Sequence, residues 1–151
     1  MRFLVQRVKE ASVTVGEERI SAFEGPGYLV LCGIAPDDTQ AKAEKLCSKL
    51  LKLRIFEDEK GAMNRSIIDV AGSVIIVSQF TLYADTNSGN RPGFSTAARP
   101  EIAEPLYDFC CETLRKTLGE RLGTGRFGAD MAVRLLNDGL PFSRIHVSKA
   151  N

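Results

Sequence analysis

Ser73-Val74-Ile75-Ile76-Val77-Ser78-Gln79-Phe80-Thr81 is the stretch on which the fold turns. Its run of four β-branched residues resists the helix, because two heavy atoms on each Cβ crowd the preceding helical turn. A short, unbroken apolar run bounded by polar residues reads as a strand buried on both faces. Its end raises a question of chemistry. A buried strand seldom finishes in Ser-Gln with a Thr beside it unless those polar groups are hydrogen-bonded or bind a ligand. Backbone N–H groups also become free at a strand end, and free N–H groups can stabilise an oxyanion formed at an ester carbonyl. The plainer reading is that Ser78 and Thr81 cap the neighbouring loop.

Upstream, Phe3-Leu4-Val5 with Val8, then Ala11, Val13 and Val15, read as an opening strand and a second strand with alternating faces. Gly16-Glu17-Glu18 is a turn, Ile20 to Phe23 a short return strand, and Gly25-Pro26-Gly27 a break. Tyr28-Leu29-Val30-Leu31-Cys32-Gly33 is a second continuous apolar run, and so a central strand. Asp38-Thr39 can cap a helix to about Leu53, with Ala43, Leu46, Cys47, Leu50 and Leu53 on one face. Asp58-Glu59-Lys60-Gly61 is a turn. Downstream, Ser95 to about Leu118 reads as a second long helix, with Pro100 in its first turns and Ile102, Leu106, Phe109, Cys110 and Leu114 inward. Met131 to Leu136 and Ile145 to Val147 read as closing strands. Many strands and two helices predict an α+β domain, with a mostly antiparallel sheet that is strongly curved or barrel-like.

The 151 residues fit one domain spanning 1–151, and a chain of this size buries roughly 70% of its unfolded surface. Hydrophobic residues make up 44% and charged residues 26%, as in ordinary globular proteins. The formal net charge of +1 argues against a long nucleic-acid groove; any RNA contact is expected through a local patch on a short piece, such as one end. No DNA partner is expected. No pair among Cys32, Cys47, Cys110 and Cys111 forms a CxxC, and His146 is the single histidine. Neither a zinc site nor any other metal is expected, and the cysteines read as buried small hydrophobes in a reducing cytosol. Asp37, Asp38, Asp58 and Glu59 read as solvated turn residues. The N-terminus has no apolar core of signal-peptide length and no stretch approaches the ~20 apolar residues of a membrane span, so the expected location is cytoplasmic.

Other segments carry weaker signals. Asn87-Ser88-Gly89-Asn90-Arg91-Pro92-Gly93-Phe94-Ser95 is rich in residues that permit unusual backbone angles. Arg91 could hold a phosphate and Phe94 could pack under a base; an ordinary loop with Phe94 sealing the core fits as well. Asn137-Asp138-Gly139-Leu140-Pro141-Phe142 places Gly near Pro late in the chain, which demands a kink, an edge, a special peptide bond or a plain turn. Thr124-Gly125-Arg126-Phe127-Gly128 is too short for a phosphate cradle and reads as a turn. A Ser-His-Asp triad could use only His146, which in Ile145-His146-Val147 points to solvent or packs at an edge. There is no Walker loop and no GxGxxG.

Taken together and in order, these segments resemble the D-aminoacyl-tRNA deacylase family. The likeness runs through Gln6-Arg7-Val8, Ala11-Ser12-Val13, Gly33, Arg54-Ile55-Phe56, Met63-Asn64, Ser78-Gln79-Phe80-Thr81-Leu82, Arg91-Pro92 with Phe94, and Gly125 to Met131. The resemblance implies a homodimer with a β-barrel-like fold and no cofactor. Its active site would lie at the dimer interface and receive the 3′-terminal adenosine of a tRNA carrying a D-amino acid or glycine. Carried over, Ser78, Gln79 and Phe80 would hold the adenosine and the ester, with N–H groups near Phe80 as the oxyanion site. Thr81 matches a threonine proposed as nucleophile. A second account gives that role no protein group and lets the tRNA 2′-hydroxyl assist. The residues favour the second account, since no base lies near Thr81 in sequence.

The chain departs from the family at Asn137-Asp138-Gly139-Leu140-Pro141. The family pattern is Asn-Asp-Gly-Pro, a small residue, then Thr, with a cis Gly–Pro bond whose carbonyls reach the partner's pocket and exclude L-amino acids. Here Leu140 intervenes and Phe142 stands at the usual threonine. A cis Gly139–Leu140 bond would cost about 2.5–4 kcal/mol, against ~0.5–1 before proline. Either the cis bond moves to Leu140–Pro141 or the segment is trans, and L-rejection is then relaxed or differently built. Other readings remain: a dimer that binds aminoacyl-tRNA or nucleotides with weakened catalysis, a hydrolase of another small ester or a nucleotide, and a purely structural dimer, which predicts no pocket at the end of the Ser78 strand.

Overall fold

The computed structural model describes residues 1–147, with residues 140–143 described by backbone alone. In chain order the elements are β1 (Arg2–Val15), β2 (Glu18–Gly33), α1 (Gln40–Lys52), β3 (Phe56–Glu57), β4 (Met63–Arg65), β5 (Ser73–Ser78), a 3₁₀ turn (Phe80–Tyr83), α2 (Pro100–Leu118), β6 (Leu122–Thr124) and β7 (Met131–His146). The main sheet has the order β6-β5-β2-β1-β7, and β3 and β4 form a separate hairpin around the Asp58 turn.

The α+β expectation and the mostly antiparallel sheet hold. The barrel expectation does not: β6 and β7 are the two sheet edges among the described residues, so the sheet is open. Its β1–β2 and β1–β7 pairings are antiparallel, while β5 runs parallel to both β2 and β6. Parallel neighbours need crossovers, and α1 and α2 lie within them. Both helices pack on one sheet face. Leu46, Cys47 and Leu50 of α1 and Leu106, Cys110 and Leu114 of α2 join Phe3, Val5, Tyr28, Val30, Val74 and Ile76 in one core. Successive strand residues point to opposite faces, so Ile75 and Val77 join Leu29, Val8, Ala11 and Val13 in a second cluster built from strands alone.

Several boundaries need correction. The two opening strands are a single 14-residue β1, and Gly25-Pro26-Gly27 does not break β2. The register instead shifts between Val8 and Glu10, so Gly25 and Pro26 sit in a bulge where proline's missing N–H disrupts no ladder bond. The bulge also changes which side chains face which side: Phe3 and Val5 belong to the helix-side core, Ala11 and Val13 to the other. Helix α1 starts as expected, with the Thr39 hydroxyl accepting from the Lys42 N–H at 3.3 Å. Helix α2 starts at Pro100, not Ser95, because a residue before proline is driven out of the α region and Arg99 is extended at ψ 157°. Its inward face is Ala103, Leu106, Tyr107, Cys110 and Leu114, leaving Ile102 41% exposed. Asp38 is not a solvated turn residue: its carboxylate accepts from the Met1 amino group at 2.6 Å and the Ala35 N–H at 2.7 Å. Cys32, Cys47 and Cys110 are buried, Cys111 is half-buried, and all four are free. Among the described residues, no helix is long and apolar enough to cross a membrane.

Candidate active site

Strand β5 ends at Ser78, three residues short of the expected Thr81. The Gln79 N–H still bonds the Cys32 carbonyl at 2.8 Å, after which residues 80–83 wind into the 3₁₀ turn. The first N–H groups of any helical turn lack an internal partner. Those of Phe80 and Thr81 have no hydrogen-bond acceptor among the described residues. The turn that carries them is held firmly. Arg2 donates to the Leu82 carbonyl at 2.7 Å and lies 4.2 Å over the Tyr83 ring, and Thr96 donates to the Tyr83 carbonyl at 2.7 Å. The turn also lies against Gly33, where an added Cβ would come within 2.9 Å of the Leu82 side chain. Burial, with Asp38 nearby, pushes the Tyr83 phenol up to about 12.

A cleft of about 630 Å³ opens at this strand end. Ser78, Gln79 and Phe80 line one side; Phe94, the start of α2 from Arg99 to Ala103, and Phe127 to Met131 line the rest. It lies at the carboxyl ends of the parallel pair β2 and β5, where crossovers diverge and leave a crevice. Helix α2 directs its N-terminal, electropositive end toward it. The Phe80 and Phe94 rings meet edge-to-face at 5.0 Å while staying 57% and 39% exposed. So much aromatic surface beside a cleft is a place for a flat ligand to stack. A purely structural chain predicts no pocket here.

Among the anticipated residues, Ser78, Gln79, Phe80 and Phe94 come together. Thr81 is on the same turn but outside the cleft wall; its hydroxyl accepts from the Gln79 side-chain amide, a donor and not a base. Arg91 is exposed in the 85–93 loop, which an Asp85–Gly93 backbone pair closes. Asn137 and Gly139 lie elsewhere on this chain. Gln6 pairs with Phe142 and Val8 with Asn137, so five steps along β7 oppose two along β1, and residues 138–141 bulge from the ladder. Gly139 there has φ 70°, a left-handed angle that favours glycine. Leu140 and Pro141, and with them the expected isomer, lie outside the residues described in full. His146 is exposed on the edge strand.

Two contributions escaped the sequence reading. The end of the segment read as a turn, Thr124 to Gly128, supplies a cleft wall together with the residues that follow it, from Phe127 to Met131. Its placement rests on the Gly125 N–H, which donates to the Ile76 carbonyl at 3.0 Å, and on buried Tyr107, whose hydroxyl donates to that carbonyl at 2.8 Å and accepts from the Gly125 N–H at 3.2 Å, and whose phenol burial pushes well above its ordinary value. The second is Arg7, only 7% exposed. It donates to the Ile55 carbonyl at 2.5 Å and twice to the Asp138 carbonyl, at 3.1 and 2.9 Å, fixing the base of the bulge. A lone arginine inside the apolar Phe3–Val8 alternation was the available signal. Among the described residues, no three His, Cys, Asp or Glu side chains converge on a metal position.

The family model described as D-Tyr-tRNA(Tyr) deacylase matches residues 4–145. The chain belongs to this family. Within the family, it is 55% identical over 139 residues to a D-aminoacyl-tRNA deacylase of Chlorobaculum parvum, covering 92% of this chain and 93% of that one. A Bacteroides thetaiotaomicron protein of the same name is 51% identical, covering 92% of each. Among solved structures, the c-Myc DNA Unwinding Element Binding Protein superposes with TM-score 0.91 at 44% identity, over 98% of this chain and 99% of that one. A probable eukaryotic D-amino acid tRNA deacylase superposes with TM-score 0.81 at 18% identity, over 95% and 98% respectively, which speaks to the fold alone. The deacylase family thus accounts for nearly the whole chain, including both walls of the cleft.

Proposed function

We propose that this protein hydrolyses the ester between a D-amino acid, or glycine, and the 3′-terminal ribose of tRNA, acting as a cytosolic homodimer that proofreads aminoacylation. The observation that carries the reading is the pair of unpartnered amides at Phe80 and Thr81, held on a pinned turn at the rim of an aromatic-walled cleft. Ser78, Gln79 and the Phe80–Phe94 pair hold the terminal adenosine, leaving the ester carbonyl beside those amides. Water adds to the carbonyl carbon, the amides bind the developing oxyanion, and collapse expels the ribose 3′-oxygen, which takes up a proton. Preorganised N–H donors of this kind are worth about 10²–10³ in rate each. Thr81 is not the nucleophile in this scheme, because its hydroxyl faces a donor. The neighbouring 2′-hydroxyl of the substrate assists attack.

Dimerisation supplies what one chain lacks. Strand β7 is a 16-residue edge with Val133 and Leu136 36% and 51% exposed, and long apolar edges call for a partner. The bulge around Gly139 then serves the partner's cleft, where its carbonyls select against L-amino acids. The extra Leu140 relaxes or rebuilds that selection. Matched D- and L-aminoacyl-tRNA, with glycyl-tRNA-Ala, test these statements in one deacylation assay. Turnover of D-aminoacyl- and glycyl-tRNA is expected, with measurable loss of the L form. Absent D-turnover with retained adenosine binding would replace the enzyme by a binding module. L-rejection as strict as in relatives with the Gly–Pro step would remove the claim about Leu140, and a monomer by light scattering would remove the shared site.

A further inference from the structure

A second concavity, of about 560 Å³, lies between α1 and the end of β7. Lys45, Lys49, Lys52, Arg144 and His146 line it, and among the described residues no carboxylate does. In a chain with 20 basic and 19 acidic residues, such segregation is a local departure from balance. The three lysines and Arg144 make no ion pair among the described residues. Lys49 and Lys52 also complement the carboxyl end of α1, but that leaves Lys45, one turn earlier, and Arg144, on another element, unexplained. Four unpaired cations across a helix and a strand, over a groove with an apolar floor of Leu46 and Ile145, present the spaced positive charge that a phosphodiester chain takes.

The groove connects to the cleft through one strand. His146 pairs with Arg2 across the β1–β7 ladder, and Arg2 holds the Leu82 carbonyl of the turn that bears the free amides. We propose that this groove binds the sugar-phosphate backbone of the tRNA acceptor arm while the 3′ end occupies the cleft. The inference rests on the deacylase reading for its choice of RNA. It assigns phosphate positioning to Lys45, Lys49, Lys52 and Arg144, and confers affinity without sequence preference.

The test measures binding of fluorescently labelled uncharged tRNA to the full-length wild type and to a K45Q/K49Q/K52Q variant, from 50 to 200 mM salt. If each lysine neutralises one phosphate, wild-type affinity falls over that range by about forty-fold more than the variant's, from a slope difference of about 2.7. A K60Q/K116Q variant, altered outside the groove, should keep the wild-type slope. Hydrolysis of a D-aminoacyl ester of adenosine, too short to reach the groove, should be unchanged by the triple substitution, while KM for charged tRNA rises. Equal slopes for wild type and triple variant, an equal loss in K60Q/K116Q, no measurable tRNA binding by wild type, or parallel loss on the adenosine ester would each overturn the proposal. A wild type that hydrolyses neither substrate yet shows the groove-dependent slope would remove the deacylase reading and leave the groove standing.

Discussion

Replacing Arg7 by methionine should destabilise this protein far more than removing the acid it faces. The guanidinium makes three hydrogen bonds to backbone carbonyls, one to Ile55 and two to Asp138, and is almost wholly buried. Its contact with the Asp138 carboxylate is longer, at 3.4 Å, and that side chain is 34% exposed. A bond from a charged donor contributes about 1.5–3 kcal/mol, and a buried carbonyl left unsatisfied costs about 1–3. Methionine fills much of the volume but satisfies neither carbonyl, so the net loss should be about 4 kcal/mol. At roughly 2–4 °C per kcal/mol for a domain of this size, Arg7→Met should melt about 8–16 °C below wild type by circular dichroism. Asp138→Ala keeps both backbone acceptors and loses two partly exposed ion pairs, to Arg7 at 3.4 Å and to Lys9 at 3.7 Å, together about 1 kcal/mol or less. It should melt within about 4 °C of wild type. A small effect of Arg7→Met, or an equal effect of Asp138→Ala, would show that the carbonyl bonds are not what holds the bulge.

Three further outcomes follow from the site. Thr81→Val should retain kcat within about ten-fold on D-aminoacyl-tRNA, whereas loss of a covalent nucleophile costs about 10⁴ or more; a loss of that size would restore Thr81 as the attacking group. Gly33→Ala places a methyl 2.9 Å from Leu82 Cβ and 3.2 Å from the Tyr83 ring, so it should cost about 1–3 kcal/mol by overpacking and lower kcat by tilting the amides; a variant with wild-type melting and turnover would show that the turn tolerates displacement. Tyr83, raised to about 12 by burial, binds its proton more tightly folded than unfolded. Its contribution to stability is therefore intact below pH 10 and lost as pH rises from 10 to 12. Melting temperature should fall across that window, less steeply in Tyr83→Phe, and phenolate absorbance should show whether the tyrosine titrates late.

Local pattern carried much of this protein. The β-branched run at 74–77 and the apolar run at 28–32 declared buried strands, and the spacing of Ala43, Leu46, Cys47 and Leu50 declared a helix, because each reports the environment of one segment by its own periodicity. The succession of motifs from Gln6 to Met131 declared the family. What local pattern does not encode is the partner. That β5 lies parallel to β2 depends on competition between distant segments for the same hydrogen-bonding edge, and no periodicity records the winner. The same limit hid the wall from Phe127 to Met131, which Gly125 and Tyr107 tie to Ile76 of β5, and the carbonyls that hold Arg7, whose sequence separations are 48 and 131 residues. Backbone carbonyls look alike in every sequence, so only the folded chain decides which of them a buried guanidinium finds.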